Sequence, residues 1–331
     1  MKQQHITRRS LTALGGALAL LALLPAFAPT PAKALKVVAT IPDLADFAQR
    51  IGGERVEIKT LSKGTENLHN VHVRPSMLIA LSRADLFLEM GLSMEAAWLP
   101  ELLVRSGNDA IQPGSKGFQN CSVGWTAIDV PDSLSRKEGH LHPEGNPHFN
   151  LDPRAGRHLA TTVHAALVRV DPGGEEFYDA NLKTTLKALE VAEARWAKLG
   201  KQWKGKQVCV YHTEFNYFAQ RYGMQLAVSI EPQPGIPPTP GDVARVVKEM
   251  REQEVGVILT AAWSNNRQVA DIARKAEAQV IELPNQVKGA DWAPDWIQFQ
   301  DGLHARIAAA FGTKVEEEPK PNPEPQPGEG E

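Results

Sequence analysis

The chain has 331 residues, 36 basic and 39 acidic, and its formal charge of −3 excludes the broad basic face that nucleic acid requires. Four of the basic residues and none of the acidic ones lie in the first 34 positions, so the remainder carries −7. About 280 residues of ordered-looking sequence exceed the usual size of a single core, so two domains are expected. Two cysteines, Cys121 and Cys209, are too few for a disulfide scaffold.

Residues 1–34 set basic residues before an apolar stretch over 11–24 and end in the small-residue run Ala32-Lys33-Ala34, the pattern of a signal peptide. The stretch is short for a bilayer span and is broken by Pro25, Pro29 and Pro31, so a soluble, exported mature chain without membrane insertion is expected. Thr7-Arg8-Arg9-Ser10-Leu11 resembles a twin-arginine signal, which leaves that route and the general secretory route both open. No cysteine stands near the cleavage site to take a lipid anchor.

From residue 35 onward, β-branched runs alternate with amphipathic segments. The pattern predicts strands over 36–41, 55–61 and 85–90, with helices beginning at Pro42 and covering 75–83 and 94–105. Periodicity fails between 114 and 150, where Gly, Pro, Ser and three histidines collect, and a loop of that length is usually functional. Helical spacing returns over 153–170. Over 175–201, Phe177, Leu182, Leu186, Leu189, Trp196 and Leu199 recur mostly at three- and four-residue steps, predicting one long amphipathic helix and a stiff connector. Strands are then expected over 207–211, 225–230, 256–260 and 279–283, with helices near Phe215, Val243, Val269 and Trp296. The fold class is α/β, two doubly wound (βα)4-type lobes joined by a rigid helix. The expected divisions are 1–34 signal, 35–173 first lobe, 174–204 connector, 205–313 second lobe, and 314–331 a disordered acidic, proline-rich tail.

Three histidines fall where such a fold places functional groups, on loops that follow strands at their carboxyl ends. His69 follows the second strand, His148 ends the long loop, and His212 directly follows the strand ending Val210-Tyr211. They are too far apart in sequence for a local zinc finger, so the fold has to bring them together. Cys209, inside Val208-Cys209-Val210, reads as a small buried side chain, and Cys121 has no assigned role.

These loops resemble the metal-binding substrate-binding proteins of ABC transporters. The resemblance covers nearly the whole mature chain and rests on three motifs. They are His69 followed six residues later by Pro75-Ser76, the Asn-Pro-His-x-x-Leu-Asp-Pro run at 146–153, and His-x-x-Phe-x-Tyr-Phe at 212–218. It implies a periplasmic protein, expected to be monomeric, that holds a transported metal in the cleft between lobes and passes it to an ABC transporter membrane permease. His69, His148 and His212 are the implied ligands. Manganese members replace one histidine by a carboxylate, so His212 favours Zn2+ as the cargo; Cu2+ and Ni2+ stay open at such nitrogen sites.

The resemblance breaks at the fourth ligand. Members commonly carry an acid on the loop after the last strand, and this chain has Leu283-Pro284-Asn285-Gln286. Glu231, on the stiff loop after the second expected strand of the second lobe, is the tentative replacement, with Glu66, Asn285 and water as the other candidates; capping that loop's amides is its alternative role. His140 and His142 in the long loop form a modest version of the histidine-rich loops of zinc members. His72 reads as exposed or as supporting the site, and His158, His164 and His304, all on helices, as structural. Two other functions are weighed. A zinc hydrolase with three histidines would need a placed base, for which only Glu214 offers itself, and no hydrolase motif is present. A binding protein for an iron chelate or haem would need an aromatic or arginine-lined cleft.

Overall fold

Each apolar run from Leu35 onward closes as a strand and each amphipathic segment as a helix lying back on it, giving successive parallel βα units. The computed structural model describes residues 34–131, 142–233 and 235–313. The expected signal segment, the acidic tail and His140 lie outside the described residues. Among those described, no helix is long and apolar enough to cross a membrane.

The first lobe comprises β1 (Leu35–Ala39), α1 (Pro42–Gly52), β2 (Val56–Thr60), α2 (Pro75–Leu81), β3 (Leu86–Glu89), α3 (Leu99–Ser106), β4 (Phe118–Asn120) and α4 (Ala155–Val170). Its parallel sheet has the order β2-β1-β3-β4. After α5 (Glu175–Gly200), the second lobe repeats the plan with β5 (Gln207–Val210), α6 (Asn216–Tyr222), β6 (Gln225–Ser229), α7 (Pro240–Glu252), β7 (Val257–Ala261), α8 (Asn266–Ala276), β8 (Gln279–Leu283) and α9 (Trp296–Ala310). Its order, β6-β5-β7-β8, is the same. In such sheets the chain turns in opposite directions on either side of the first strand, opening a crevice at the carboxyl edge.

Two expectations shift. β4 forms inside the stretch read as loop, with its three residues in register with Phe87, Leu88 and Glu89. The helix expected over 94–105 begins only at Leu99, because Leu92 and Ser93 take positive φ of 52° and 61° and turn the chain away from helical geometry.

Alternation along the central strands divides the cores. Val37 and Ala39 of β1 face a large apolar cluster, whereas Val38 faces a smaller one under α2 and α3. Val208 and Val210 of β5 face the same large cluster, and Cys209 faces a third one under α7 and α8. The large cluster is therefore shared between the lobes. It runs through α5, a 26-residue helix about 39 Å long that packs on α1, α4 and α9. Its buried stripe is Tyr178, Thr185, Leu189, Ala192, Trp196 and Gly200, while Phe177, expected inside, stays 36% exposed.

Trp296, at the start of α9, closes this joint. It is fully buried, with Phe47 at 5.5 Å and Trp196 at 5.9 Å between ring centroids, and its backbone N–H donates to Asp46. Gly156 of α4 makes room for it, since a Cβ there would fall 2.5 Å from the Trp296 ring. The lobes are joined by packed side chains as well as by chain.

Candidate metal centre

The three histidines arrive from three loops, each in or directly before a 3-10 turn. His69 sits in the 3-10 turn Leu68–Asn70, where the Asn67 side chain accepts from the His69 N–H at 2.9 Å and Leu68 O accepts from the Trp98 indole at 2.9 Å. His148 precedes the 3-10 turn Phe149–Leu151, and its N–H is held by Asn146 Oδ1 at 2.9 Å. His212 precedes the 3-10 turn Thr213–Phe215, which leads into α6.

The ligand-type atoms of His69, His148 and His212 lie within 4.8 Å of one another. His69 Nε2 and His148 Nε2 are 3.0 Å apart, close to the roughly 3.3 Å that two nitrogens on one tetrahedral zinc would keep. His148 and His212 are buried, and His212 Nε2 has no hydrogen-bond partner; leaving such an atom unpaired is costly unless something else takes it up. Burial pushes the His148 imidazole well below its ordinary value, and the neighbouring His69, His212 and His142 push the same way, so it stays neutral. Burial also acts to lower His212. The hydrogen bond to Glu231 and the charges of Glu214 and Glu231 outweigh it, leaving His212 raised.

Glu231 is not brought into the three-histidine group. Its Oε2 accepts from His212 Nδ1 at 2.7 Å and from Gly235 N–H at 3.0 Å, so the carboxylate fixes the imidazole tautomer that leaves Nε2 bare and also caps its own loop. Glu66 is likewise outside the group. Its carboxylate accepts from Lys63 N–H at 2.6 Å and from Arg74 at 3.1 Å. Asn285 is buried, with its carbonyl accepting from Asn150. Glu214 is completely buried with neither oxygen hydrogen-bonded, and burial raises its carboxyl.

His142 stands beside the group, its ring centroid 4.9 Å from that of His69. Together with His69, His212, Glu231 and Trp263 it lines a cavity of about 390 Å³ that gives access to the cluster. His72 is exposed. His158 bonds to Cys121 O, His164 to Asp179, and His304 to Tyr222 and Gln300 O, all away from the cluster. Both cysteines are buried and free, and burial raises both thiols, Cys209 to about 12.

The residues sequence reasoning missed are amides and a tyrosine. Asn146, besides holding His148, donates to Thr213 O at 2.8 Å, and Tyr217 donates to Asn146 O at 2.7 Å, tying the His148 loop to the His212 loop across the cleft. Asn150 donates to Asp43 at 3.0 Å and to Asn285 O at 2.8 Å. The recurring Asn and Tyr of the two motifs signalled these roles, but their partners lie tens to more than a hundred residues away.

Known proteins give this geometry its context. The family model for the zinc-uptake complex component A, periplasmic, matches residues 37–310. The high-affinity zinc uptake system protein ZnuA of Bacillus subtilis is 24% identical over 262 residues, 77% of this chain and 79% of that protein. The manganese ABC transporter substrate-binding lipoprotein PsaA of Streptococcus anginosus is 23% identical over 250 residues, 74% of this chain and 78% of that protein. A crystal structure of ZnuA aligns with a TM-score of 0.70 at 23% identity, covering 84% of this chain and 99% of that one, and shares the two-lobed fold. The chain belongs to the ZnuA family of metal ABC transporter substrate-binding proteins.

Proposed function

We propose that this chain captures one Zn2+ through His69, His148 and His212 and delivers it to the membrane permease of an ABC transporter. The observation that carries the reading is a group of three imidazoles within 4.8 Å of one another that contains no carboxylate. Imidazole nitrogen suits Zn2+, whereas Mn2+ favours carboxylate, carbonyl and water oxygen. Water takes the fourth position, through the cavity beside His142 and Trp263. Glu231 acts behind His212, orienting the ring and raising its basicity rather than binding the metal. The protein works in the periplasm as a monomer after export through its N-terminal signal, with two ligands from the first lobe and one from the second, so that metal and lobe orientation are coupled.

Transport fits the site better than hydrolysis. Glu214, the available base, is completely buried and is not among the residues that line the cavity. Titration of the metal-free chain with Zn2+ tests the reading. One tight equivalent is expected, lost in His148→Ala and bound in preference to Mn2+. Tight binding that survives His148→Ala, or a preference for Mn2+, would overturn the assignment.

A further inference from the structure

We propose that the segment after β8, where relatives were expected to carry an acidic ligand, is in this chain a strut that positions both first-lobe histidines, with Gln286 as its positioning residue. This rests on the assignment of His69 and His148 as ligands.

Gln286 is completely buried, and its Nε2 donates across the cleft to Lys63 O at 3.2 Å and Glu66 O at 3.0 Å. Those carbonyls belong to a tight turn closed by Glu66 N–H on Lys63 O at 3.0 Å and by Lys63 N–H on the Glu66 carboxylate. The next residue, Asn67, holds the His69 N–H. The neighbours of Gln286 grip the other loop. Asn285 O accepts from Asn150, and Val287 N–H donates to Asp43 at 2.9 Å, while Asn150 and Asp43 are bonded to each other. Asn150 lies two residues after His148, whose carbonyl accepts from Leu151 N–H. Three consecutive residues of the second lobe therefore tie down both ligand-bearing loops of the first. The backbones touch here as well: a Cβ on Gly64 would fall 2.1 Å from the Lys288 carbonyl carbon.

The chemistry at 286 separates a strut from a ligand. A primary amide offers two N–H donors to the two carbonyl acceptors of the turn. A carboxylate there offers none and sets negative oxygen against carbonyl oxygen, so Gln286→Glu should displace the turn. If the segment instead served the metal directly, the same substitution would add an anionic ligand and tighten binding.

The experiment uses the full metal-free chain with Gln286→Met, Gln286→Glu and His148→Ala, measuring Zn2+ affinity by chelator competition and the visible d–d spectrum of the Co2+ form. Both Gln286 variants should keep one equivalent of Zn2+ while losing about 10–100-fold in affinity, with Gln286→Glu the weaker. The Co2+ bands should shift in both. A loss of folding alone would not move the bands of the fraction that binds. Gly289→Ala disturbs the same contact through the backbone, its Cβ falling 2.7 Å from Gly64 O, and should move the Co2+ bands the same way. It supplies the test should the Gln286 variants not fold. An unchanged Co2+ spectrum with affinity within about twofold of the parent, or a Gln286→Glu chain that binds Zn2+ more tightly, overturns the strut. Tight Zn2+ binding by His148→Ala instead overturns the ligand assignment beneath it.

Discussion

The two sides of the interlobe joint are built from different materials. On the side of α5, Trp296 is wedged among Phe47, Trp196 and Gly156, and the contact is dominated by close-packed rings, with the Trp296 backbone N–H bonded to Asp46 and its indole Nε1 the one ring nitrogen there buried without a partner. On the side of the histidines, the lobes meet through amides, a carboxylate and imidazoles, several with buried atoms that have no partner. Apolar packing supplies stability that does not depend on what the cleft contains, whereas an unpaired polar site is costly when empty and is relieved by a cation. On the proposed reading, the contrast gives one side the task of holding the lobes together and the other that of sensing the metal.

Removing the wedge should give the largest effect on stability. Trp296→Ala is expected to cost about 3–5 kcal/mol in denaturant unfolding of the metal-free chain. Provided the chain still folds, it should keep one equivalent of Zn2+; loss of that equivalent in the folded variant would show that the two sides are not separable.

Acidity probes the polar side in the absence of metal. Burial raises the Asp43 carboxyl from 3.8 to about 7, against the lowering by its bonds to Asn150 and Val287 N–H. Between those values the folded chain keeps a proton that the unfolded chain has released, so the stability this group contributes is present below about pH 4 and lost as pH rises through about 7. In Asp43→Asn that loss is absent. The stability of the variant relative to the parent should therefore rise with pH, by up to about 1.4 kcal/mol per unit across this window, measured as urea midpoints. A difference independent of pH would remove Asp43 as a titrating member of the joint.

Glu231→Gln sharpens the comparison at the metal itself. Losing the carboxylate behind His212 should weaken Zn2+ by about 10–100-fold at pH 8. Glu231 also helps hold the proton that the metal must displace, since its hydrogen bond and charge raise His212. The loss should accordingly shrink toward pH 6. A loss that grows on acidification would contradict that role.

Much of this was legible in the chain because the fold rests on local signals. The βα alternation follows from β-branched runs and helix-starting prolines, and the three histidines stand beside recognisable motifs at strand ends. β4 was not legible, because Phe118–Asn120 is a half-buried triplet among Gly and Ser that becomes a strand only by pairing with β3. The role of Glu231 was half legible. Its place on the carboxyl edge was readable, but whether it faced a metal or an imidazole depended on where His212 stood, 19 residues earlier. Gln286 was the hardest, since its partners are backbone carbonyls 220 and 223 residues away, and backbone carbonyls have no sequence signature.

Anomalous diffraction at the zinc edge from crystals of the loaded chain tests the central claim most directly. The account predicts one peak in the cleft at about 2.0–2.1 Å from a nitrogen of each of His69, His148 and His212, with the Glu231 carboxylate still on His212 Nδ1. A peak bound by fewer than these three imidazoles, or one lying elsewhere on the chain, would contradict it.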